Sequence, residues 1–445
     1  MKTKRTMNGQ NNPNGINRTR QPMNGNGKIS AIQNGRPHPP EAKEEPVLIS
    51  AEEAIDIFRR GEPLILVDDE DRENEGDLVV AAEHVTPEII NFMTLHARGL
   101  VCVALTRERA EQLQLTPMVG QNTALLGTAF TVTVDAVEGT TTGISAHDRA
   151  ATVKKLIDPE ATPKDFARPG HMFPLIAEDG GVLVRPGHTE AVVDLARAAG
   201  LVPAGVLCEI LDDDGSMARL PRLKQLARKY GLKIASVGDL IRYRCRTEML
   251  AERMTDVHLP TKYGDFRLLL YKNRVNPAEH HLALVKGDVS GDEPVLVRIH
   301  SECFTGDVLS SLRCDCGNQL HDALRRIETA GKGVVLYLRQ EGRGIGLENK
   351  LLAYALQDQG KDTVEANQAL GFKPDLREYW FAAQMLRDLG IRRVQLITNN
   401  PHKIQELEQY GIKVEQRVPS VVPPNPINAD YLKTKREKLG HLIDW

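Results

Sequence analysis

The sequence predicts an α/β protein of two consecutive domains behind an N-terminal tail that does not fold. Three observations carry that reading. Apolar runs of strand length, such as Leu64–Val67 and Gly333–Leu338, alternate with capped helical stretches. A length of 445 residues exceeds one ordinary core and points to two domains, or three. Residues 1–45 are basic, rich in Asn and Gly, and hold few apolar side chains to bury.

The tail carries no acid before Glu41, as transit peptides do, but Ser is scarce and no amphipathic helix can be drawn. Beyond it, Ser50 and Glu53 form a capping-box pattern for a helix that runs to Arg60 and stops at Gly61. A buried strand at Leu64–Val67 enters the acid-rich run 68–77, and a second strand follows at 78–82. Thr86 and Pro87 start the next helix, which Gly99 is expected to close. Further strands are expected at 100–105 and 130–134, and the 139–143 turn leads into a helix at Ala146.

Three readings of the acid-rich run stand: a solvated charged loop, a magnesium site held at a sheet end, or paired surface salt bridges with Arg72. Arg-Pro-Gly-His occurs twice, at 168–171 and 185–188, which reads as a local duplication of a site element. Thr189 is placed to cap a helix over 190–199, whose free N–H groups and Arg185 make a phosphate seat. His188 could bind metal and His171 could move protons, or each could be a satisfied structural histidine. Glu209, alone in the apolar strand 205–210, must be paired, ligated or shifted in pKa.

Residues 242–260 read as a charged, helix-like connector that holds the domain boundary. Strands follow at 266–271, 282–286 and 295–299, the last leading to Cys303, Cys314 and Cys316. One residue separates Cys314 from Cys316, so a disulfide between them is sterically poor. Three thiols can instead converge on one zinc, leaving the fourth position open as in a catalytic site. A distant fourth ligand would make a structural loop instead. A helix to Ala330 and the strand Gly333–Leu338 precede the glycine-rich 339–347, where Arg339 and Arg343 offer forks for phosphate. That spacing is neither a P-loop nor a Rossmann fingerprint. A helix containing Trp380 and Leu386 ends at Gly390, and a strand at 394–398 runs into a helix start at 399–403 suited to a polyanion.

Composition excludes several classes. A formal net charge of −3 gives no global attraction to nucleic acid or anionic membrane, and 4% aromatic residues leave few stacking platforms. No apolar run has the length of a membrane span. Without a secretory signal, six cysteines fit a reducing, cytoplasmic setting.

The motifs then carry two resemblances. The run 68–77, His96 to Cys102, Thr141 to Ser145, Arg185 to Thr189 and Cys208-Glu209 resemble 3,4-dihydroxy-2-butanone 4-phosphate synthase. That resemblance implies a mixed α/β fold and conversion of ribulose 5-phosphate with magnesium (or manganese), in a homodimer formed through this half. It assigns Glu73 and His188 to the metal. Arg72, Glu73, Asp77, Arg185, Pro186, Gly187, His188, Thr189 and Glu209 fall to the sugar phosphate, and His171 and Glu209 to catalysis. Arg298 to Glu302, the three cysteines, Gln340 to Arg343, Asp362 to Asn367 and Thr398 to Pro401 resemble GTP cyclohydrolase II. That family implies zinc on Cys303, Cys314 and Cys316, with magnesium on the GTP. Its GTP contacts match Arg298, Ile299, His300, Ser301, Glu302, Gln319, Glu341, Gly342, Arg343, Thr363, Thr398 and Lys403. Asp375 matches the proton acceptor and Arg377 the nucleophile, although a guanidinium is protonated at ordinary pH and charge stabilisation is the alternative.

The expected organisation is therefore a tail at 1–45 and two mixed-sheet domains at 46–246 and 247–445, making a bifunctional riboflavin-biosynthesis enzyme. The competing expectations are one active domain beside a structural or nucleotide-sensing scaffold, and a zinc-stabilised nucleic-acid binder.

Overall fold

The computed structural model describes residues 47–443, so the expectation for the tail lies outside the described residues. Helix α1 (Ala51–Arg60) leads to β1 (Leu64–Val67) and β2 (Gly76–Ala81), then α2 (Pro87–His96), β3 (Cys102–Thr106) and α3 (Arg107–Gln112). Next come β4 (Val134–Ala136), α4 (Ala146–Ile157), β5 (Phe166–Ala177), α5 (His188–Ala198) and β6 (Ala204–Glu209). Then α6 (Leu220–Tyr230), β7 (Ile234–Ser236) and α7 (Val237–Thr247) complete the first half. Its seven strands form one sheet in the order β4-β5-β3-β6-β2-β1-β7. Within it, β1/β7 and β3/β5 are parallel and the other pairs antiparallel.

The second half opens with β8 (Ala251–Thr261), β9 (Gly264–Asn273), β10 (His280–Lys286) and β11 (Val295–Ser301). It continues through α8 (Phe304–Asp307), α9 (Cys316–Ala330), β12 (Gly333–Leu338), α10 (Gly346–Asp358), α11 (Thr363–Ala369) and α12 (Trp380–Asp388). The last elements are β13 (Arg393–Ile397), α13 (Pro401–Gln409), β14 (Lys413–Val418) and α14 (Ala429–Leu439). Its sheet has the order β14-β13-β11-β12-β10-β9-β8, parallel from β14 to β12 and antiparallel beyond. Both sheets are mixed, as expected.

Burial explains the legible elements. Leu64, Leu66 and Val79 face one apolar layer, while Ile65, Leu78 and Val80 face the other. Strands covered on both faces read as unbroken apolar runs. The Ser50 hydroxyl accepts from the Glu53 amide, and Gly61 adopts φ 77° to end α1.

Several expectations need correction. Helix α2 ends at His96, and Arg98 rather than Gly99 takes the left-handed conformation, at φ 71°. A Cβ on Gly99 would lie 2.4 Å from the Glu209 carbonyl oxygen, so that glycine serves close approach to β6. Of the strand expected at 130–134, only Val134 enters a strand, while Phe130 and Thr131 make isolated bridges. The twelve-residue β5 was hidden by Pro169, Gly170 and Pro174. The first Arg-Pro-Gly-His copy lies inside β5 and the second leads into α5, so the repeat is not a structural duplication. Gly187, not Thr189, is the N-cap of α5. The expected connector is the end of α7 followed by the edge strand β8, whose mostly exposed, polar residues give no apolar run.

Helix α7 ties the halves together. Ile241 packs against apolar layers of both sheets. Gln384, fully buried on α12, accepts from the Leu250 and Ala251 amides (2.7 and 3.0 Å) and donates to the Cys245 and Glu248 carbonyls (2.8 and 2.9 Å). Arg244 pairs with the buried Asp194 at 2.7 Å.

Candidate active sites

The end of β11 brings Arg298, His300 and Ser301 to the cysteines. Cys303 caps α8, Cys316 begins α9, and the three sulfur atoms lie within 4.8 Å of one another. The Cys303 and Cys314 sulfurs are 3.7 Å apart. Gly306 is what allows this approach, because a Cβ there would sit 2.8 Å from the Cys314 sulfur and 3.1 Å from that of Cys303. Hydrogen bonds from the Cys314 and Cys316 thiols, and the Lys350 ammonium 3.1 Å away, favour the Cys303 thiolate. Asp307 braces the loop: it accepts from the Cys303 amide (3.0 Å) and the Tyr337 hydroxyl (2.9 Å), and faces His300 Nε2 at 3.0 Å.

These cysteines open onto a cavity of about 120 Å³. Arg298, His300, Ser301, Glu302, Gln319, Glu341, Gly342, Arg343, Thr363, Arg377, Thr398 and Lys403 all line it. Two expected residues do not line it directly. Ile299 has its side chain in the core and offers only its carbonyl, which accepts from Lys403 Nζ at 2.9 Å. Asp375 grips Arg377 through two oxygens, at 2.8 and 2.5 Å. Burial opposes the Asp375 charge, but the Arg377 fork holds its pKa down to about 2; burial opposes the Arg377 charge too, yet Tyr379 and Asp375 raise its pKa. Burial, with Arg298 and Arg377 nearby, pushes the Lys403 ammonium well below its ordinary value. Gln319 accepts from Arg298 Nη2 at 2.7 Å and donates to Asp315 at 2.6 Å. Glu341 accepts from Lys350 at 2.7 Å and from the Phe304 amide at 2.5 Å. Sequence reading missed Lys350, Tyr354, Tyr431, Lys435 and His441, all lining residues on helices or chain without a motif.

The second centre lies where β1 meets the acid-rich loop. The Asp68 side chain is fully buried and accepts from Arg72 (2.9 Å) and from the Glu73 and Glu75 amides (3.0 and 2.9 Å). Arg72 is paired with Asp68 and Glu73, and donor atoms of Asp68, Glu73 and His188 lie within 4.8 Å of one another. His188 Nδ1 is 3.4 Å from Glu73, while His188 Nε2 and Asp77 Oδ1 are buried without a hydrogen-bond partner. Burial and the carboxylates of Glu209, Glu73 and Glu75 lift Asp77 to about 7, although His188 opposes this. Burial disfavours the His188 cation, yet Asp77, Glu73 and Asp68 raise its pKa to about 9.

Asp77 and Glu209 face each other across β2 and β6, and the Leu100 amide donates to the Glu209 carboxylate at 2.8 Å. Arg185 and Arg72 converge on Gly187, where a Cβ would lie within 2.7 and 2.9 Å of their guanidinium nitrogens. Pro186 joins Arg185 to that glycine, and Thr189 is buried in the first turn of α5. His171 belongs to a separate group, with Nδ1 2.7 Å from Asp135, a partner sequence reading missed.

Two family models match the chain: 3,4-dihydroxy-2-butanone 4-phosphate synthase over residues 52–243 and GTP cyclohydrolase II over residues 252–419. The riboflavin biosynthesis protein RibBA of Bacillus subtilis is 58% identical over 393 residues, covering 88% of this chain and 98% of that protein. RibBA of Aquifex aeolicus is 57% identical over 404 residues, covering 90% and 99%. The crystal structure of RibBX, a two-domain 3,4-dihydroxy-2-butanone 4-phosphate synthase from A. baumannii, is 41% identical with a TM-score of 0.65. It covers 83% of this chain and 99% of its own.

Proposed function

Because this chain belongs to the bifunctional riboflavin biosynthesis proteins, which join a 3,4-dihydroxy-2-butanone 4-phosphate synthase to a GTP cyclohydrolase II, we propose that its two donor clusters are the centres of those two activities. The first activity converts D-ribulose 5-phosphate to L-3,4-dihydroxy-2-butanone 4-phosphate and formate. The second hydrolyses GTP to 2,5-diamino-6-ribosylamino-pyrimidinone 5'-phosphate, formate and pyrophosphate. On this reading the synthase occupies residues 46–246 and the cyclohydrolase residues 247–445.

The observation that carries the proposal is three converging cysteine sulfurs in a cavity walled by Arg298, Arg343, Arg377 and Lys403. The thiols fit zinc. Two sulfurs held tetrahedrally at about 2.3 Å from one zinc lie about 3.8 Å apart, against 3.7 Å between Cys303 and Cys314. When bound, zinc supplies Lewis acidity that activates water. Arg298 to Glu302 and Gln319 hold the nucleoside beside the sulfurs. The loop from Glu341 to Arg343, with Thr363, Thr398 and Lys403, holds the phosphates and their magnesium. Asp375 stays ionised and can accept a proton. Arg377 stays cationic, which favours charge stabilisation of the departing pyrophosphate over attack on phosphorus.

Glu73 and His188 fit magnesium or manganese: with Asp68 they offer one ligand atom each within 4.8 Å of one another, and His188 Nε2 has no hydrogen-bond partner that would compete for it. The cation supplies charge that stabilises negative oxygen on the sugar. Arg72 and the segment from Arg185 to Thr189 seat the phosphate at the α5 N-terminus. Asp77 and Glu209 orient the sugar. Glu209 and His171 move protons, with Asp135 orienting the imidazole. The match to 3,4-dihydroxy-2-butanone 4-phosphate synthase is what supports a homodimer through this half. No helix among the described residues is long and apolar enough to cross a membrane, and the six free cysteines agree with a cytoplasmic setting.

Formate release from GTP and from ribulose 5-phosphate, assayed separately on metal-loaded protein, tests the reading. Release from both is expected, and folded, zinc-loaded protein that releases it from neither contradicts it.

A further inference from the structure

The cyclohydrolase family match ends at residue 419, yet the nucleotide cavity does not. Its wall is completed by the C-terminal segment, through Tyr431 and Lys435 of α14 and His441 beyond it. Helix α14 is held from three sides. Leu432 is buried, Lys438 pairs with Asp362 and Glu365 at the start of α11, and the Leu442 amide donates to the Asn399 carbonyl at 2.8 Å.

Lys435 does more than cover the site. It is buried, its Nζ lies 4.6 Å from the Tyr431 ring centroid, and it donates to Asp315 Oδ1 at 2.6 Å. Asp315, 3% exposed, stands between Cys314 and Cys316. Its second oxygen accepts from Gln319 Nε2 at 2.6 Å, and Gln319 Oε1 accepts from Arg298 Nη2 at 2.7 Å. A continuous chain, Lys435–Asp315–Gln319–Arg298, therefore runs along the cavity wall. It fixes which end of the Gln319 amide points where, leaving one N–H and one lone pair free for a ligand. Without the ammonium, a buried carboxylate beside two zinc-binding thiols would lack its countercharge and turn away.

We propose that Lys435 is a positioning residue of the nucleotide site, setting the Gln319 amide and the Arg298 fork for the guanosine nucleotide through Asp315. The inference rests on the placement of GTP in this cavity.

The test compares full-length wild type with K435M, K435R and K438M. The readouts are calorimetric binding of guanosine 5'-(α,β-methylene)triphosphate, kcat and KM for formate release from GTP, and zinc content. Formate release from ribulose 5-phosphate reports folding of the synthase half, and the thermal unfolding transition followed by circular dichroism reports that of the cyclohydrolase half. K435M is expected to weaken analogue binding and raise KM about tenfold or more, the scale of one charged hydrogen bond. Zinc and the sugar reaction are unchanged, K435R recovers part of the loss, and K438M stays near wild type. Wild-type affinity in K435M overturns the inference. So does an equal loss in K438M, which would make α14 a cover only, or loss of zinc in K435M. Unchanged GTP turnover in R298A would instead sink the placement of GTP itself.

Discussion

Lys403 is buried in the wall of the cavity beside the cysteines, where desolvation and the charges of Arg298 and Arg377 lower its pKa. A bound triphosphate offsets the neighbouring positive charges and attracts the ammonium directly, which outweighs the burial it adds, so the bound pKa lies above the free one. Nucleotide binding should therefore take up a proton, and affinity should fall as pH rises through the free Lys403 pKa. Calorimetry of a non-hydrolysable GTP analogue in buffers of different ionisation enthalpy should show net uptake in wild type and none in K403M. Proton release by wild type would exclude this assignment. Gly306 gives a second residue-scale prediction. Gly306→Ala forces a methyl against two sulfurs and should lower zinc affinity by about 10- to 100-fold, as displacements around a metal's ligands do. Chelator competition measures it, and wild-type affinity would show that the loop yields without disturbing the thiols. At this scale the legible residues were those in compact motifs, such as Cys314-Asp-Cys316 and Arg185 to Thr189. Lys350 is equally close to Cys303, but a single lysine on α10 has no pattern that distinguishes it from a solvated one.

Elements position these residues through contacts remote from either site. Gln384 of α12 satisfies two amides and two carbonyls where α7 hands over to β8. Gln384→Leu leaves them buried and unpaired, at about 1–3 kcal/mol for each group so exposed to desolvation. Hydrogen exchange at Leu250 and Ala251 should accelerate by about a hundredfold or more, reporting easier local opening. Unchanged protection would mean that the strand pairing of β8 with β9 alone holds the junction. Helices with caps and strands buried on both faces were readable because each advertises its burial locally. Strand β5 was not, since Pro169, Gly170 and Pro174 mask it, and β8 was not, since a polar edge strand is made by its partner. Helix α14 carried only a charged pattern, and its site role comes from docking against Asp315 and Asp362.

Across the whole molecule, one chain carries two mixed sheets, each with its own donor cluster at the ends of its strands. The halves are packed together through Ile241 and Gln384, and Lys373, two residues before Asp375, pairs with Asp69 and Asp71 of the acid-rich loop. Those last pairs are half-exposed, and surface ion pairs contribute on the order of 0–1 kcal/mol, too little to make one centre depend on the other. We therefore expect two chemically independent centres in a single polypeptide. The most direct test is formate release from each substrate by Cys314→Ser and Glu73→Ala. Cys314→Ser should abolish turnover of GTP and keep that of ribulose 5-phosphate, and Glu73→Ala should do the reverse. Loss of both reactions in either folded variant would contradict the claim.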